Sequence, residues 1–463
     1  MYPNTPTHTE ELTKIINDNT PLEKDTIKKY IDEFDTSKMN EGDDYYFKRN
    51  KITTRPIYKY TKEGAKVIDH EATNNKLASG WHKLLVDQKA GYLVGDTVTI
   101  GYKGDTDIQP LIDLVGDDFH DALPQLVKNA SNRGKEWLHR YITPEGDLDF
   151  IVVAAQEFIP IYDNSKHKRL EGGIRFYSLD HDDIIKVELW DSKQVTYYEM
   201  INGQIHLDAN EEENPAPHFK YGEQGYSWEK TPFVEFKNND EAISDLTFYK
   251  DFIDVYDRLM SDSANTLEEI QEFLYVIRGY EGTDMDEAVT NLKRYKGAAV
   301  SGEGGIEILQ GEMPMQSLNS YLDRLKDDIF QFGQAVDVNA DKFGNSPSGI
   351  ALKFLFSLLD MKANVMERKF TRALKEFMWF VTEYASMTGV GDYDPNQITF
   401  TFNKSMLMND AEQVQILMNS PELSIKTKLE NHPMVSDPDN EMKRREEDMQ
   451  NSVDLDEGLE DDE

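Results

Sequence analysis

Asp337-Val338-Asn339-Ala340-Asp341-Lys342-Phe343-Gly344-Asn345-Ser346-Pro347 is a polar interruption between two runs of helical periodicity. Gly344-Asn345-Ser346-Pro347 forces a chain reversal. Ser346 then offers an N-cap, and Pro347 suits the first helical turn. The next run is apolar at helical spacing from about Ser348 to Met387. Unbroken, its roughly 40 residues would span about 60 Å. Upstream of the interruption, Leu318, Leu322, Leu325, Ile329 and Phe332 form the stripe of a helix starting at Pro314. Further upstream Ile243, Leu246, Ile253, Tyr256, Leu259, Met260, Leu267, Ile270 and Phe273 form another stripe, opened by Asp240-Glu241 where the helix dipole favours negative charge. Between these two helices lies a small mixed insert. Its pattern predicts strands at Tyr275–Tyr280, Gly297–Val300 and Ile306–Leu309 and a helix at Met285–Tyr295.

Outward from this helical half the period changes. Phe150–Ala154, Phe158–Tyr162, Ile174–Tyr177, Ile184–Leu189 and Val195–Met200 are β-branched and aromatic runs. Turn residues at Gly172-Gly173, Asp180–Asp183, Asp191-Ser192 and Asn202-Gly203 separate them, which predicts an antiparallel meander. Asn202-Gly203 between two alternating runs is a type I′ hairpin signal. Asn210–Gly225, with Pro215 and Pro217, predicts a loop, and Phe233–Phe236 closes the sheet region. Nearer the start, helices are expected around Thr9–Ile16, over Pro21–Phe34 and over Asn74–Tyr92, the last stopped by Gly91 and Gly95. Ile52–Tyr60, with Pro56, is an irregular or edge segment. Val98–Tyr102 is a short strand, and Leu111–Tyr141 reads as two or three helices broken near Pro124 and Gly134. Ile398–Phe402 is a late strand, and Asn409–Ser420 and Ser436–Asn451 are polar helices.

The chain has 463 residues, with 50 Lys+Arg against 87 Asp+Glu and a net charge of −37. That length suggests several packed units. The acidity argues against a basic face of the kind sequence-specific DNA binders carry, and against docking to anionic lipid. With no cysteine, disulfide scaffolds, thiol nucleophiles and Fe–S clusters are excluded. No secretory signal or membrane-spanning run is visible, so a soluble intracellular protein is expected. The last 30 residues hold 13 acids and 3 bases, and Asp454–Glu463 is expected to be disordered.

Catalytic motifs fail in turn. Gly302-Glu303-Gly304-Gly305 lacks the third glycine of a dinucleotide loop and precedes a strand. Gly134-Lys135 lacks the first P-loop glycine. The ten histidines show no zinc spacing, and no nucleophile elbow occurs. Asp180-His181-Asp182-Asp183 reads as a metal cluster or, more blandly, as an Asp-rich turn. Tyr45-Tyr46-Phe47-Lys48-Arg49 reads as a base-stacking patch or as local packing. No enzyme, metal or cofactor reading rises above background.

Three strings carry a resemblance. They are Asn74-Asn75-Lys76-Leu77-Ala78-Ser79-Gly80-Trp81-His82-Lys83-Leu84-Leu85-Val86-Asp87-Gln88-Lys89-Ala90-Gly91-Tyr92-Leu93-Val94-Gly95, Ser131-Asn132-Arg133-Gly134-Lys135-Glu136-Trp137-Leu138 and Ser348-Gly349-Ile350-Ala351-Leu352-Lys353. With the helical arrangement, they resemble the portal proteins (head-to-tail connectors) of long-tailed phages of Gram-positive hosts, over about residues 40 to 405. The resemblance implies an α+β portal fold and a non-enzymatic ring, usually a dodecamer, at one capsid vertex. Residues 1–240 would form a wing containing the meander. Residues 241–273 and 314–336 would be the stem helices, and 274–313 the clip. Residues 337–347 would be the tunnel loop, 348–408 a long helix and strand returning to the wing, and 409–463 a short crown with an acidic tail.

The resemblance further implies double-stranded DNA passing non-specifically through the ring. It also implies the terminase large subunit, a head–tail adaptor, and the major capsid and scaffold proteins as partners, with no membrane and no cofactor. The setting would be the virion's portal vertex, reached from the host cytoplasm during assembly. The tunnel-loop candidates are Asp337, Val338, Asn339, Ala340, Asp341, Lys342, Phe343, Gly344 and Asn345. The clip candidates for partner binding are Tyr275, Ile277, Arg278, Tyr280, Lys293, Arg294, Ile306 and Ile308. An acidic ring repels phosphate, so DNA slides rather than sticks. Lys342, the only cation of the loop, either guides phosphates or is a solvated lysine. The competing readings are a scaffold or adaptor protein, which the meander argues against, and a packaging enzyme, which the missing P-loop argues against.

Overall fold

The structure is a computed structural model. It describes residues 24–445 apart from 105, 164, 166–167, 180–183, 223, 271–273, 279–304, 310–313, 338–348, 405–413, 416, 431, 433–434, 436–437 and 439–440. The expected helix near Thr9–Ile16, the Asp180–Asp183 cluster and the acidic tail lie outside these residues. Of the expected late helices, only residues 414–415, 417–420, 438 and 441–445 are described.

Helices α1 (Lys24–Glu33) and α2 (Ser37–Tyr46) lead into a 3-10 turn, Lys51–Thr54, and a two-stranded ribbon of β1 (Tyr58–Tyr60) and β2 (Lys66–Ile68). Helix α3 spans Trp81–Val94, seven residues shorter at its start than the periodicity predicts. The reason lies in the preceding segment. The backbone N–H groups of Asn75, Leu77 and Ser79 donate to Asn265 Oδ1, Ser261 Oγ and Asp257 Oδ1 at 2.7, 3.0 and 2.9 Å. Committed to those side chains, 74–80 forms no helix. Gly91 lies within α3 rather than ending it.

After β3 (Thr99–Tyr102) come α4 (Gln109–Val115) and α5 (Asp118–Arg133). Pro124 sits inside α5, where flanking Leu123, Leu126 and Val127 are fully packed. That burial offsets the roughly 3 kcal/mol an interior proline costs. Gly134, at φ 90°, does break the helix, but the chain continues from it as a strand and not as a further helix. β4 (Lys135–Ile142) lies between β14 (Phe233–Lys237) and β5 (Leu148–Val153) in a three-stranded antiparallel sheet. The 150–154 and 233–236 runs therefore belong to this sheet and not to the meander.

The meander itself is β6 (Phe158–Tyr162), β7 (Leu170–Ser178), β8 (Ile184–Trp190), β9 (Gln194–Ile201) and β10 (Gln204–Leu207), paired in sequence order. Its β9–β10 hairpin turns through Asn202 and Gly203 at φ 51° and 74°, as a type I′ turn requires. Gly172-Gly173 is not a turn but the middle of β7. The Phe158 ring lies over Gly173, where a Cβ would stand 2.0 Å from Cζ. The 210–225 region also contains short strands, β11 (Ala216–Pro217), β12 (Phe219–Tyr221) and β13 (Gln224–Tyr226).

Helix α6 covers Lys250–Ile270, starting ten residues later than Asp240. Asn239 intercepts both the N–H and C=O of Ile243, and Ser244 caps a 3-10 turn at Asp245–Phe248. A ribbon of β15 (Leu274–Arg278) and β16 (Gly305–Leu309) joins α6 to α7 (Met315–Gly333). Helix α8, Gly349–Thr388, is the expected long helix of 40 residues. Strand β17 (Ile398–Thr401) pairs with β3, and α9 (Ile425–Glu430) ends the described elements. The main core forms where α8 packs on α3, α4 and the three-stranded sheet, with Phe119 at the start of α5 joining it. Phe370, Phe377 and Phe380 are fully buried there, and Phe377 stacks on Phe119 at 4.5 Å. The chain is α+β.

Candidate functional site

Helices α6 and α7 pack side by side and run in opposite directions. Ile253 of α6 lies with Ile329 and Phe330 of α7, and Phe252 stacks on Phe332 at 5.0 Å. Trp81, the first residue of α3, meets Tyr256 and Phe330 edge-on at 5.5 and 5.7 Å, so α3 grips both helices at one end. At the other end the β15–β16 ribbon pairs Tyr275 with Ile308, Ile277 with Ile306 and Arg278 with Gly305. Five clip candidates, Tyr275, Ile277, Arg278, Ile306 and Ile308, thus come together on one ribbon. Tyr280, Lys293 and Arg294 lie outside the described residues, as do the expected helix Met285–Tyr295 and strand Gly297–Val300.

Of the tunnel-loop candidates only Asp337 is described, Val338–Asn345 lying outside. The entry to this loop is held firmly. Gln334, at φ 52°, ends α7, and the Ala335 N–H returns to the Phe330 carbonyl at 3.0 Å. The Gln88 side chain then clasps the next residue from both sides. Its Oε1 accepts from Val336 N–H, and its Nε2 donates to the Val336 carbonyl, both at 2.8 Å. Lys326 pairs with Asp337 at 3.3 Å. Gly333 fits because Leu85 occupies the space a Cβ would take, 2.7 Å away.

A charge cluster sits immediately beneath. Lys89 on α3 is 1% exposed and donates to Asp245 Oδ2 at 2.6 Å and to Asn238 Oδ1 at 2.7 Å. Lys362 on α8 meets the same carboxylate at 3.0 Å and donates to the Gly333 carbonyl at 2.9 Å. Asn238 Nδ2 donates to Asp245 Oδ1 at 2.9 Å. Burial opposes the Asp245 charge, but Lys362 and Lys89 together hold its carboxyl well below the usual range. With two cations on one anion, Lys89 is the group that yields. Burial lowers its pKa to about 8 against the pull of Asp245. Next to it, His82 is buried against Tyr249, 2.7 Å from its hydroxyl, and burial lowers its pKa to about 4. The cluster fastens α3, α8, the turn before α6 and the end of α7 at one point.

Sequence reading missed Gln88, Lys89, Asn238, Asp245 and Lys362. The one available signal was Lys89 among Leu85, Val86, Tyr92 and Leu93 on the buried face of α3. Tyr45 and Tyr46 turn out to be packed, donating hydroxyls to Asp254 and Asp87, which is the local-packing alternative. Among the described residues no group of three or more His, Cys, Asp or Glu is placed to hold a metal, and no helix is long and apolar enough to cross a membrane.

The family model "Phage portal protein, SPP1 Gp6-like" matches residues 25–454. The chain belongs to the SPP1-type phage portal protein family. It is 37% identical to the portal protein of Bacillus phage SPP1, over all of this chain and 94% of that protein. It is 30% identical to the portal protein of Clostridium phage phiCD119, over 85% of this chain and 88% of that one. Both relatives come from phages of Gram-positive hosts. The function is thus that of a phage portal protein, a structural virion component at the capsid vertex, and the α+β fold fits it. In this portal protein the string most specific to the resemblance, 74–95, does two jobs. Its first half lies along α6, and its second half is the helix that holds the entry to the 337–347 loop.

Proposed function

We propose that the chain closes into a dodecameric ring around a DNA channel, with α6 and α7 as the stem, the 274–313 insert as the clip and 337–347 as the tunnel loop. On this reading residues 1–240 and the β3–β17 pair form the wing, α8 returns from the loop into it, and 409–463 form the crown and tail. The observation that supports it best is the grip of α3 on the end of α7. Gln88, Lys362 and Lys326 fix the chain up to Asp337, so any movement of the loop pivots on a rigid base. The ring would receive DNA from the terminase large subunit, sit among major capsid and scaffold proteins, and release DNA through a head–tail adaptor. Subunits would gather in the host cytoplasm before entering the virion. The protein itself would do no covalent chemistry.

The clip ribbon supports a docking role for terminase and adaptor, because among the described residues its two short strands pair only with each other, and a strand edge can pair with a partner strand. Lys342 would sit near passing phosphates, with Asp337 and Asp341 limiting adhesion. The test is a packaging assay beside a sizing measurement on Lys342→Glu. Impaired DNA translocation by intact rings is expected. Normal packaging would remove the role of Lys342.

A further inference from the structure

The β1–β2 ribbon stands away from the body of the subunit. All six of its strand residues are exposed, including Tyr58, Tyr60, Val67 and Ile68, and among the described residues its strands pair only with each other. A lone two-stranded ribbon is marginal in water, and this one exposes apolar side chains on both faces. Its base is nevertheless fixed to the stem. Arg55 pairs with Asp262 at 2.7 Å, Asn74 donates to the Arg55 carbonyl, and Asn75 donates to Asn265 and Glu268. The ribbon is thus an arm rooted at 262–268 of α6.

A second surface lies at the same height. Leu274 pairs with Leu309 at one end of the stem, and Ile253 lies with Ile329 and Phe330 at the other. These pairings set 265 of α6 level with about 318 of α7, since both helices rise equally per residue. There α7 carries a shallow depression lined by Gln316, Ser317, Ser320 and Tyr321, none of them charged, with Tyr321 51% exposed. Residues 56–73 hold three lysines, Lys59, Lys62 and Lys66, against Glu63, Asp69 and Glu71, which cancel. Two copies of a chain of net charge −37 repel over most of their surface. An uncharged depression and a charge-balanced arm are where they can meet.

We propose that the β1–β2 arm of one copy seats in the Gln316–Tyr321 depression on α7 of the next. The two patches differ, so the contact is head-to-tail, the type that closes into rings. The inference rests on the ring reading above and names the contact that would hold it together.

Because the chain has no cysteine, paired substitutions test this cleanly. Tyr60→Cys/Tyr321→Cys is oxidised and run on a denaturing gel without reductant, beside each single variant. A ladder of dimers and higher multimers from the double variant alone is expected. Hydrogen exchange on the wild-type protein is measured in parallel, where 56–73 and 315–321 should gain protection on ring formation. Rings that form with both segments unprotected and no ladder would overturn the contact and leave the ring reading intact. A wild-type chain that stays monomeric at all salt concentrations would overturn the ring reading, and this contact with it.

Discussion

Replacing Asp245 by alanine should be the most damaging single change near the loop entry. The carboxylate serves two ammonium groups at 2.6 and 3.0 Å and accepts from Asn238, at 3% exposure. Its removal leaves Lys89 sealed in the interior with Asn238 as its remaining acceptor, and leaves Lys362 with only the Gly333 carbonyl. Breaking a buried pair on one side typically costs about 3–5 kcal/mol, and two cations share this anion, so the upper end is expected. Lys89→Met removes one of the two cations and keeps the methylene packing, so Asp245 still has Lys362. That variant should cost much less, about 1–3 kcal/mol. The ordering is the distinctive outcome, because simple loss of one salt bridge would make the two variants equal. Denaturant unfolding of both proteins at one fixed concentration, compared with wild type, measures it. Equal costs, or a cost below about 1 kcal/mol for Asp245→Ala, would refute a single carboxylate shared by two buried cations.

Gln88→Ala should lose both bonds to Val336, about 1–3 kcal/mol together. Faster hydrogen exchange at the Val336 amide together with an unfolding midpoint lowered by a matching amount would fit this, whereas unchanged exchange would not. His82 is neutral when folded, at a pKa of about 4, and ordinary when unfolded. Between those values the unfolded chain binds the extra proton, so its contribution to stability is complete above about pH 6.5 and is lost as pH falls towards 4. His82→Gln should flatten that acid limb of a stability-versus-pH curve, and an unaltered limb would remove His82 as its source. Gly173→Ala should destabilise by roughly 1–3 kcal/mol in thermal unfolding, because the Phe158 ring must move.

Much of the architecture was legible because long-range order here follows local pattern. The α8 helix, the α7 stripe, the Asn202-Gly203 hairpin and five meander strands are periodicity and turn chemistry, which the sequence carries directly. What was illegible came from capture by distant groups. Residues 74–80 look helical until the side chains of Asp257, Ser261 and Asn265 claim their N–H groups. Residues 240–249 look helical until Asn239 and Ser244 take the backbone bonds. The 135–142 segment comes after a helix with no proline between, and only pairing with 148–153 and 233–237 makes it a strand. The candidate site divides the same way. The β15–β16 ribbon was legible as short β runs, while the 337–347 loop was read from its turn residues and the family resemblance, and all of it but Asp337 lies outside the described residues. The cluster of Lys89, Asn238, Asp245 and Lys362 joins residues up to 273 positions apart in sequence, and no local pattern announces such a meeting.

The central claim is that these subunits form a closed channel whose narrowest point is lined by 337–347. Electron cryomicroscopy of the purified, assembled protein tests it most directly. The account predicts a cyclic ring with the α6–α7 pairs side by side around the lumen and the loop projecting inward from the base held by Gln88 and Lys362. Compact monomers, or a ring carrying this loop on its outer surface, would contradict it.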